Sequence, residues 1–316
     1  TLASYGAGSV TVTTAGGTSA ALQLNAVRVN ATGTALGDVA VDGAGLLWVS
    51  DNTNPGHLLQ VDPANAQVLR TLSMTSAAGS AYAYSNVGLQ VLSAGMTLGA
   101  TAVPAGSLLL FNGYNSEVQA LDPADGRVLA SLTLAGGTYL TAGVYDAASG
   151  HLFMLSNNSD LVELDAGSGA ALASHALPVG VTSYAGLAID PANGNLWVGS
   201  YSSGSEVVLV DKATGAEIRR VDLSSQGVNQ NEISGLAFAA DGKLWVASTQ
   251  GVVYKVDLSQ DPATRSATLS EVVGAARNGT AAQAGVASAN VGDVIELRGS
   301  NFGAGTQVLF QVRSNE

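Results

Sequence analysis

An all-β fold, a β-propeller built from four-stranded blades, is predicted by three features of this sequence. An apolar strand that ends in aspartate recurs five times along the 316 residues. Two further short strands precede each copy, with glycine, asparagine and aspartate turns between them. No stretch of useful length repeats its apolar residues with a helical period, which argues against helices.

The recurring strand ends at five aspartates, spaced 43 to 60 residues apart: Asp62, Asp122, Asp165, Asp211 and Asp257. A short turn and a further strand follow each of the first four. Four strands per unit and a repeat in the mid-forties are typical of a propeller blade. The one long interval comes from extra residues around 94–106. The repeats therefore favour five blades, and a ring of six stays open as the alternative.

Two stretches of the repeats resemble known propeller families. The segment LWVGSYSSGSEVVLVDKATGAEIRRVDL at 196–223 resembles the bacterial YVTN-type repeat. The segment GLAIDPANGNLWVGS at 186–200 resembles the NHL-type repeat. The resemblance covers about 37–275 and implies the propeller fold. It says little about function, because these families include binding proteins, scaffolds and a few enzymes.

Both ends of the chain resemble parts of an IPT/TIG immunoglobulin-like domain. The tail VASANVGDVIELRGSNFGAGTQVLFQV at 286–312 resembles its opening, and the head GAGSVTVTTAGGTSAALQLNAVRV at 6–29 resembles its closing hairpin. We therefore predict the C-terminal half of such a domain at 1–36, a propeller at 37–275 and the N-terminal half at 276–316. Together the two terminal segments would form an Ig-like β-sandwich.

Three arrangements of these halves remain open. They are parts of two separate domains, they complete one sandwich between neighbouring copies in a head-to-tail string, or they form one circularly permuted domain within the chain. An isolated half leaves open sheet edges, which favours pairing. The contact between the halves is predicted to centre on seven apolar residues: Val10, Val12, Leu22, Leu24, Ile295, Leu297 and Phe302.

Composition restricts the partners and the location. Twelve Lys and Arg residues against 24 Asp and Glu give a net charge of −12, which disfavours nucleic acid as a partner. No apolar run approaches the roughly 20 residues of a membrane span, so no membrane insertion is predicted. The chain has no cysteine, which excludes thiol chemistry, and its charged fraction is only 11%. This composition favours a secreted bacterial protein in an extracellular or cell-surface location.

The sequence shows no set of catalytic residues that recurs at equivalent positions of the repeats. His57, His151 and His175 occupy different positions in their repeats, and no nucleophile, zinc or phosphate-binding motif is present. The five recurring aspartates are interpreted as turn-forming residues. We therefore predict no enzyme activity, no catalytic residue, no metal and no cofactor.

The loops after the second strands offer the most suggestive surface. In a propeller these loops lie together on one face, and their amides and aromatic rings suit a carbohydrate or peptide ligand. Six residues are predicted to form this site: Asn52, Asn112, Tyr114, Asn157, Asn158 and Tyr201. The recurring Trp48, Trp197 and Trp245 are instead interpreted as packing residues between blades.

Three function classes follow, and we predict the first. It is a structural and adhesive module of a secreted bacterial surface fibre or large repetitive adhesin, with head-to-tail Ig-like complementation between consecutive copies. Its partners are copies of itself or adjacent repeats of the same chain, and a carbohydrate or cell-surface ligand. The second is a propeller enzyme such as a lyase or lactonase. The third is a soluble ligand-binding propeller.

Overall fold

A computed structural model describes most of the chain and divides it into two compact units, Thr1–Gln260 and Asp261–Glu316. The residues described are 8–10, 13–14, 17–18, 22–29, 35–53, 56–74, 88–112, 116–135, 140–156, 159–178, 180–181, 186–199, 204–229, 232–259, 268–274 and 296–300.

The first unit begins with short strands. Strand β1 (Gly8–Val10) pairs with β4 (Leu22–Leu24), and β2 (Thr13–Thr14) pairs with β3 (Gly17–Thr18). Strand β5 (Ala26–Arg28) follows and belongs to a larger sheet, described below.

Five antiparallel four-stranded sheets form the blades. Blade 1 contains β6 (Leu36–Val41), β7 (Leu47–Asp51), β8 (His57–Asp62) and β9 (Gln67–Ser73). Blade 2 contains β10 (Gly88–Val91), β13 (Leu108–Asn112), β14 (Glu117–Leu121) and β15 (Val128–Thr133). A small hairpin of β11 (Met96–Leu98) and β12 (Thr101–Val103) interrupts blade 2, where the long repeat interval predicted extra residues.

The remaining blades follow the same order. Blade 3 contains β16 (Leu140–Asp146), β17 (His151–Ser156), β18 (Asp160–Asp165) and β19 (Ala171–Ala176). Blade 4 contains β20 (Leu187–Ile189), β21 (Leu196–Gly199), β22 (Glu206–Val210) and β23 (Glu217–Asp222), with a 3₁₀ turn at Ser224–Gln226 after it. Blade 5 contains β24 (Ile233–Phe238), β25 (Leu244–Ser248) and β26 (Val252–Val256).

Strand β5, which precedes blade 1 in the chain, closes the ring. The fourth strand of blade 5 is β5, which pairs with β26 in the register Val27 to Val253. The innermost strands β6, β10, β16, β20 and β24 contact one another in ring order, and β24 returns to β6. The predicted all-β propeller with five four-stranded blades is confirmed. The predicted segment 1–36 therefore contributes a propeller strand, and the rest of the predicted domain division stays a prediction.

The core consists of five apolar clusters, one at each junction between neighbouring blades. The three tryptophans lie in second strands with at most 3% of their surface exposed, as packing residues would. The recurring aspartates form turns as predicted. Asp62 Oδ1, for example, accepts the N–H of Ala64 at 2.8 Å, and Asp211 Oδ1 accepts that of Ala213 at 3.0 Å.

The second unit is described only as a strand pair. Strand β27 (Thr268–Val273) pairs with β28 (Glu296–Ser300), and Leu297 faces Val272 in the register. In the first unit Val10 faces Leu22, and Leu24 faces Gly8. Val12, Ile295 and Phe302 lie outside the described residues. The Ig-like sandwich and its contact residues stay a prediction.

Ring closure by β5 predicts a sharp difference between two truncations. Val27 and Val29 are 0% and 2% exposed, so removing residues 1–29 uncovers the edge of β26 and deletes two buried side chains. We expect this truncation to lower the melting temperature by at least about 5 °C in a calorimetric scan. Removal of residues 1–24 leaves β5 in place and serves as the control. Equal melting temperatures would contradict closure by β5.

Candidate functional site

A cavity of about 460 Å³ opens where the innermost strands end, on the face that bears the turns between first and second strands. We call it the channel mouth. Its walls are formed by equivalent residues of the five blades, each the last or nearly the last of its inner strand: Val41, Val91, Tyr145, Ile189 and Phe238. Cavities of this size suit small ligands and the ends of larger ones.

Neighbouring inner strands approach one another closely below this cavity. At one level of the inner strands, four blades carry glycine or alanine: Gly88, Ala142, Gly186 and Gly235. A Cβ on Gly186 would overlap the main chain of Gly235 and Leu236, and a Cβ on Gly235 would overlap Asp38. The inner strands of adjacent blades therefore leave no room for a side chain at these two glycines.

Asp38 occupies the same level in blade 1. Its Oδ1 accepts the N–H of Val39 at 2.7 Å, and its Oδ2 accepts that of Leu89 in blade 2 at 2.8 Å. The N–H of Leu236 in blade 5 also donates to this carboxyl. One side chain thus satisfies main-chain donors on three neighbouring blades. Burial raises the pKa of Asp38 well above its ordinary value, although these N–H groups act in the opposite direction.

Gln90 joins two inner strands at the mouth. Its Oε1 accepts the N–H of Tyr145 at 2.6 Å, and its Nε2 donates to the carbonyl of Tyr145 at 3.1 Å. A side-chain carboxamide therefore pairs with the channel edge of blade 3 as a main-chain amide would.

The charge at the rim is already compensated. Asp146 lines the mouth, and its Oδ2 accepts a hydrogen bond from Lys212 Nζ of blade 4 at 2.6 Å. Burial acts to raise the pKa of Asp146, but Lys212, the N–H of Ala148 and Ser149 outweigh burial and hold it below its ordinary value. The carboxylate stays ionised and paired, so the mouth presents a neutral, largely apolar surface.

The loops predicted to bind a ligand lie at the other end of the second strands, away from this cavity. Asn112 is the last residue of β13 and is 3% exposed. Asn52 follows β7, and its N–H donates to the carbonyl of Ala35. Tyr114, Asn157, Asn158 and Tyr201 lie outside the described residues. Of the six predicted residues, the structure thus describes Asn52 and Asn112. The loop site stays a prediction.

The three histidines lie on three different strands. His57 begins β8, His151 begins β17 and His175 lies in the outer strand β19. His151 Nδ1 lies 2.6 Å from Glu163 Oε1 on the adjacent strand. Within the described residues, no group of three acidic or histidine side chains is arranged to hold a metal ion, and no helix has the length and apolar character to cross a bilayer.

Asp38 and Gln90 are residues that the sequence analysis missed. Alignment of the inner strands would have indicated both. Asp38 is the acidic residue at a level where the other blades have glycine or alanine, and Gln90 stands where they have alanine or valine. A polar residue at a position where the other repeats are small or apolar indicates a function specific to that blade.

Several solved structures are similar to this chain. Glutaminyl cyclase from Myxococcus xanthus aligns with a TM-score of 0.50 and 16% identity, over 72% of this chain and 91% of that chain. A protein of unknown function from Bacteroides caccae aligns with a TM-score of 0.44, 16% identity and coverages of 69% and 72%. The WD40 propeller domain of Doa1 gives 0.40, 13% identity and coverages of 69% and 62%. The chain is a five-bladed propeller.

Sequence comparison gives no further assignment. No family model matches the chain, and no curated protein matches it in sequence. The resemblances to YVTN, NHL and IPT/TIG segments therefore stay predictions.

The prediction that the chain is not an enzyme is wrong in the light of the glutaminyl cyclase comparison. An enzyme shares this architecture over nearly its full length, so scattered histidines and missing nucleophile motifs do not exclude catalysis on such a propeller.

The buried carboxyl of Asp38 predicts a pH-dependent difference in stability. Because its folded-state pKa is raised, Asp38 is protonated in the folded chain at a pH where the unfolded chain has already released the proton. The stability that Asp38 confers is therefore complete at low pH and decreases as pH rises through the raised pKa. We expect the free energy of unfolding of the native chain, relative to Asp38→Asn, to fall as the pH is raised from 4 to 8.

Denaturant unfolding at each pH measures this difference. Asp125→Asn, at an exposed turn, controls for the exchange of aspartate for asparagine. A difference between native chain and Asp38→Asn that stays constant across the range would contradict the assignment.

Proposed function

We propose that this chain is a ligand-binding propeller whose site is the channel mouth. The observation that supports the proposal is the cavity of about 460 Å³, lined by the ends of five inner strands. A cavity of this size holds a small molecule or the end of a chain. The apolar walls favour an uncharged ligand.

A catalytic form of the same function is supported by the likeness to a glutaminyl cyclase. In that form the ligand bound at the mouth is also converted. Tyr145 and Asp146 are the titratable side chains that line the mouth among the described residues, and the Lys212 contact restricts Asp146.

Blocking the mouth tests the proposal. Ala239 is half-buried and lines the cavity, so Ala239→Trp should fill it. We expect a neutral environment-sensitive dye such as Nile red to bind the native chain with a stoichiometry of about one, and Ala239→Trp to weaken binding at least about tenfold. Fluorescence titration measures both.

Ala64→Trp provides the matched control, because Ala64 is exposed in a turn of blade 1 and does not line the cavity. Equal binding by the native chain and both variants would place the dye elsewhere and reject the site. With natural ligands, mass spectrometry of the recovered compound separates binding from conversion.

The terminal segments support a second proposal, a structural module of an extracellular or cell-surface fibre or adhesin, in which consecutive copies complete one Ig-like sandwich. Its support is the low charge of the chain, the IPT/TIG resemblance at both ends, and the strand pairs β1–β4 and β27–β28, which lie outside the five blades. Copies of the chain are its partners, with a carbohydrate or other cell-surface ligand as a further one.

Truncation of residues 1–24 tests this second proposal without opening the ring. We expect the intact chain to form large species in light scattering and the truncated chain to stay monomeric, because one half of each sandwich is missing. The melting temperature of the propeller serves as the control. Assembly of the truncated chain to the same size as the intact chain would reject the model.

A further inference from the structure

The contact between Gln90 and Tyr145 indicates how the channel mouth recognises a ligand. Two hydrogen bonds join one carboxamide to the N–H and the carbonyl of one inner-strand residue. The channel edge of an inner strand thus already binds an amide in one blade.

Strand geometry explains why that edge is available. In an antiparallel pair, alternate residues exchange main-chain hydrogen bonds with the partner strand, and the residues between them aim their N–H and carbonyl groups outward. Four residues just after the last channel-facing position donate to the second strand or its turn: Asp42 to Leu46, Leu92 to Ser107, Asp190 to Asn195 and Ala239 to Lys243. The residue before each therefore points its polar main-chain groups at the channel.

These four channel-facing residues are Val41, Val91, Ile189 and Phe238, and all line the mouth. Within the described part of the chain, no main-chain or side-chain group hydrogen-bonds to their N–H groups across the channel. In blade 3 the equivalent residue is Tyr145, whose groups are taken by Gln90.

The positions equivalent to Gln90 leave the other edges open. They are occupied by small or apolar residues: Ala40, Val144, Ala188 and Ala237. None of these side chains can hydrogen-bond to the neighbouring edge, and all four residues line the cavity.

We propose that the channel mouth binds an uncharged amide, whose N–H and carbonyl pair with an open inner-strand edge as Gln90 pairs with Tyr145. This deepens the proposed binding function and rests on it. The amide is carried by a short peptide or by a small molecule with an apolar body. The apolar walls accept that body, and the paired Asp146 leaves no free charge to attract an ionic ligand.

Comparing an amide with an ester tests the proposal on the native chain. Isovaleramide and methyl isovalerate share the isobutyl group and the carbonyl, but the ester has no N–H to donate. We expect the ester to bind at least about fivefold more weakly, the loss typical of one hydrogen bond. Ligand-observed NMR titration measures both affinities.

An acetylated alanine–valine dipeptide amide distinguishes the two sources of the amide. Binding at least about tenfold tighter than isovaleramide would assign a peptide ligand, and equal binding would assign a small molecule. Equal affinity of the amide and its ester for the native chain would overturn the proposal.

A designed internal amide gives an independent test. Ala237→Gln places a carboxamide in blade 5 at the position of Gln90, next to the open edge of Val41 in blade 1. We expect it to weaken isovaleramide binding at least about fivefold while the chain stays folded. Ala171→Gln, at an exposed site on an outer strand, is the matched control.

The outcomes distinguish failure of the binding site from failure of amide recognition. Dye binding that Ala239→Trp blocks, together with equal amide and ester affinities, would retain the site and reject amide recognition. No dye binding to the native chain would reject the proposed function itself.

Discussion

The close approach of five inner strands is the constraint on which the rest of the propeller depends. A ring of five blades brings these strands together so tightly that Gly88, Gly186 and Gly235 have no room for a Cβ. Main-chain N–H groups that point into this space have no access to bulk water. Asp38 provides the acceptor that three of them need. One side chain thereby joins the inner strands of blades 5, 1 and 2, whose other ends line the cavity.

Much of the architecture could be predicted from the sequence because a blade is a local pattern. The recurring aspartates mark turns that depend on residues two or three positions away, and Trp48, Trp197 and Trp245 mark the second strands. The number of such repeats in the sequence matches the number of blades. The strand that completes blade 5 could not be found in this way, since β5 is short and its partner Val253 is more than two hundred positions away in the sequence.

The candidate site escaped sequence analysis for a related reason. Its recognition groups are main-chain atoms of Val41, Val91, Ile189 and Phe238, whose side chains look like ordinary strand residues. Search for polar side chains led instead to the loops around Asn52 and Asn112, at the other end of the second strands. Whether a backbone group faces a channel depends on ring closure and on strand register. The type of the residue determines neither of them.

Blade 5 also sets the order of events when the chain folds. Its outer strand is among the first residues of the ring to be synthesised, and its partner β26 is the last. Contacts of such long sequence separation slow folding, because loop closure must precede the gain from pairing. Until β5 docks, β26 presents an unpaired edge rich in valine, which is a template for association with other chains. The pairing of β5 with β26 therefore joins strands from opposite ends of the ring's sequence and covers the edge that would otherwise stay open.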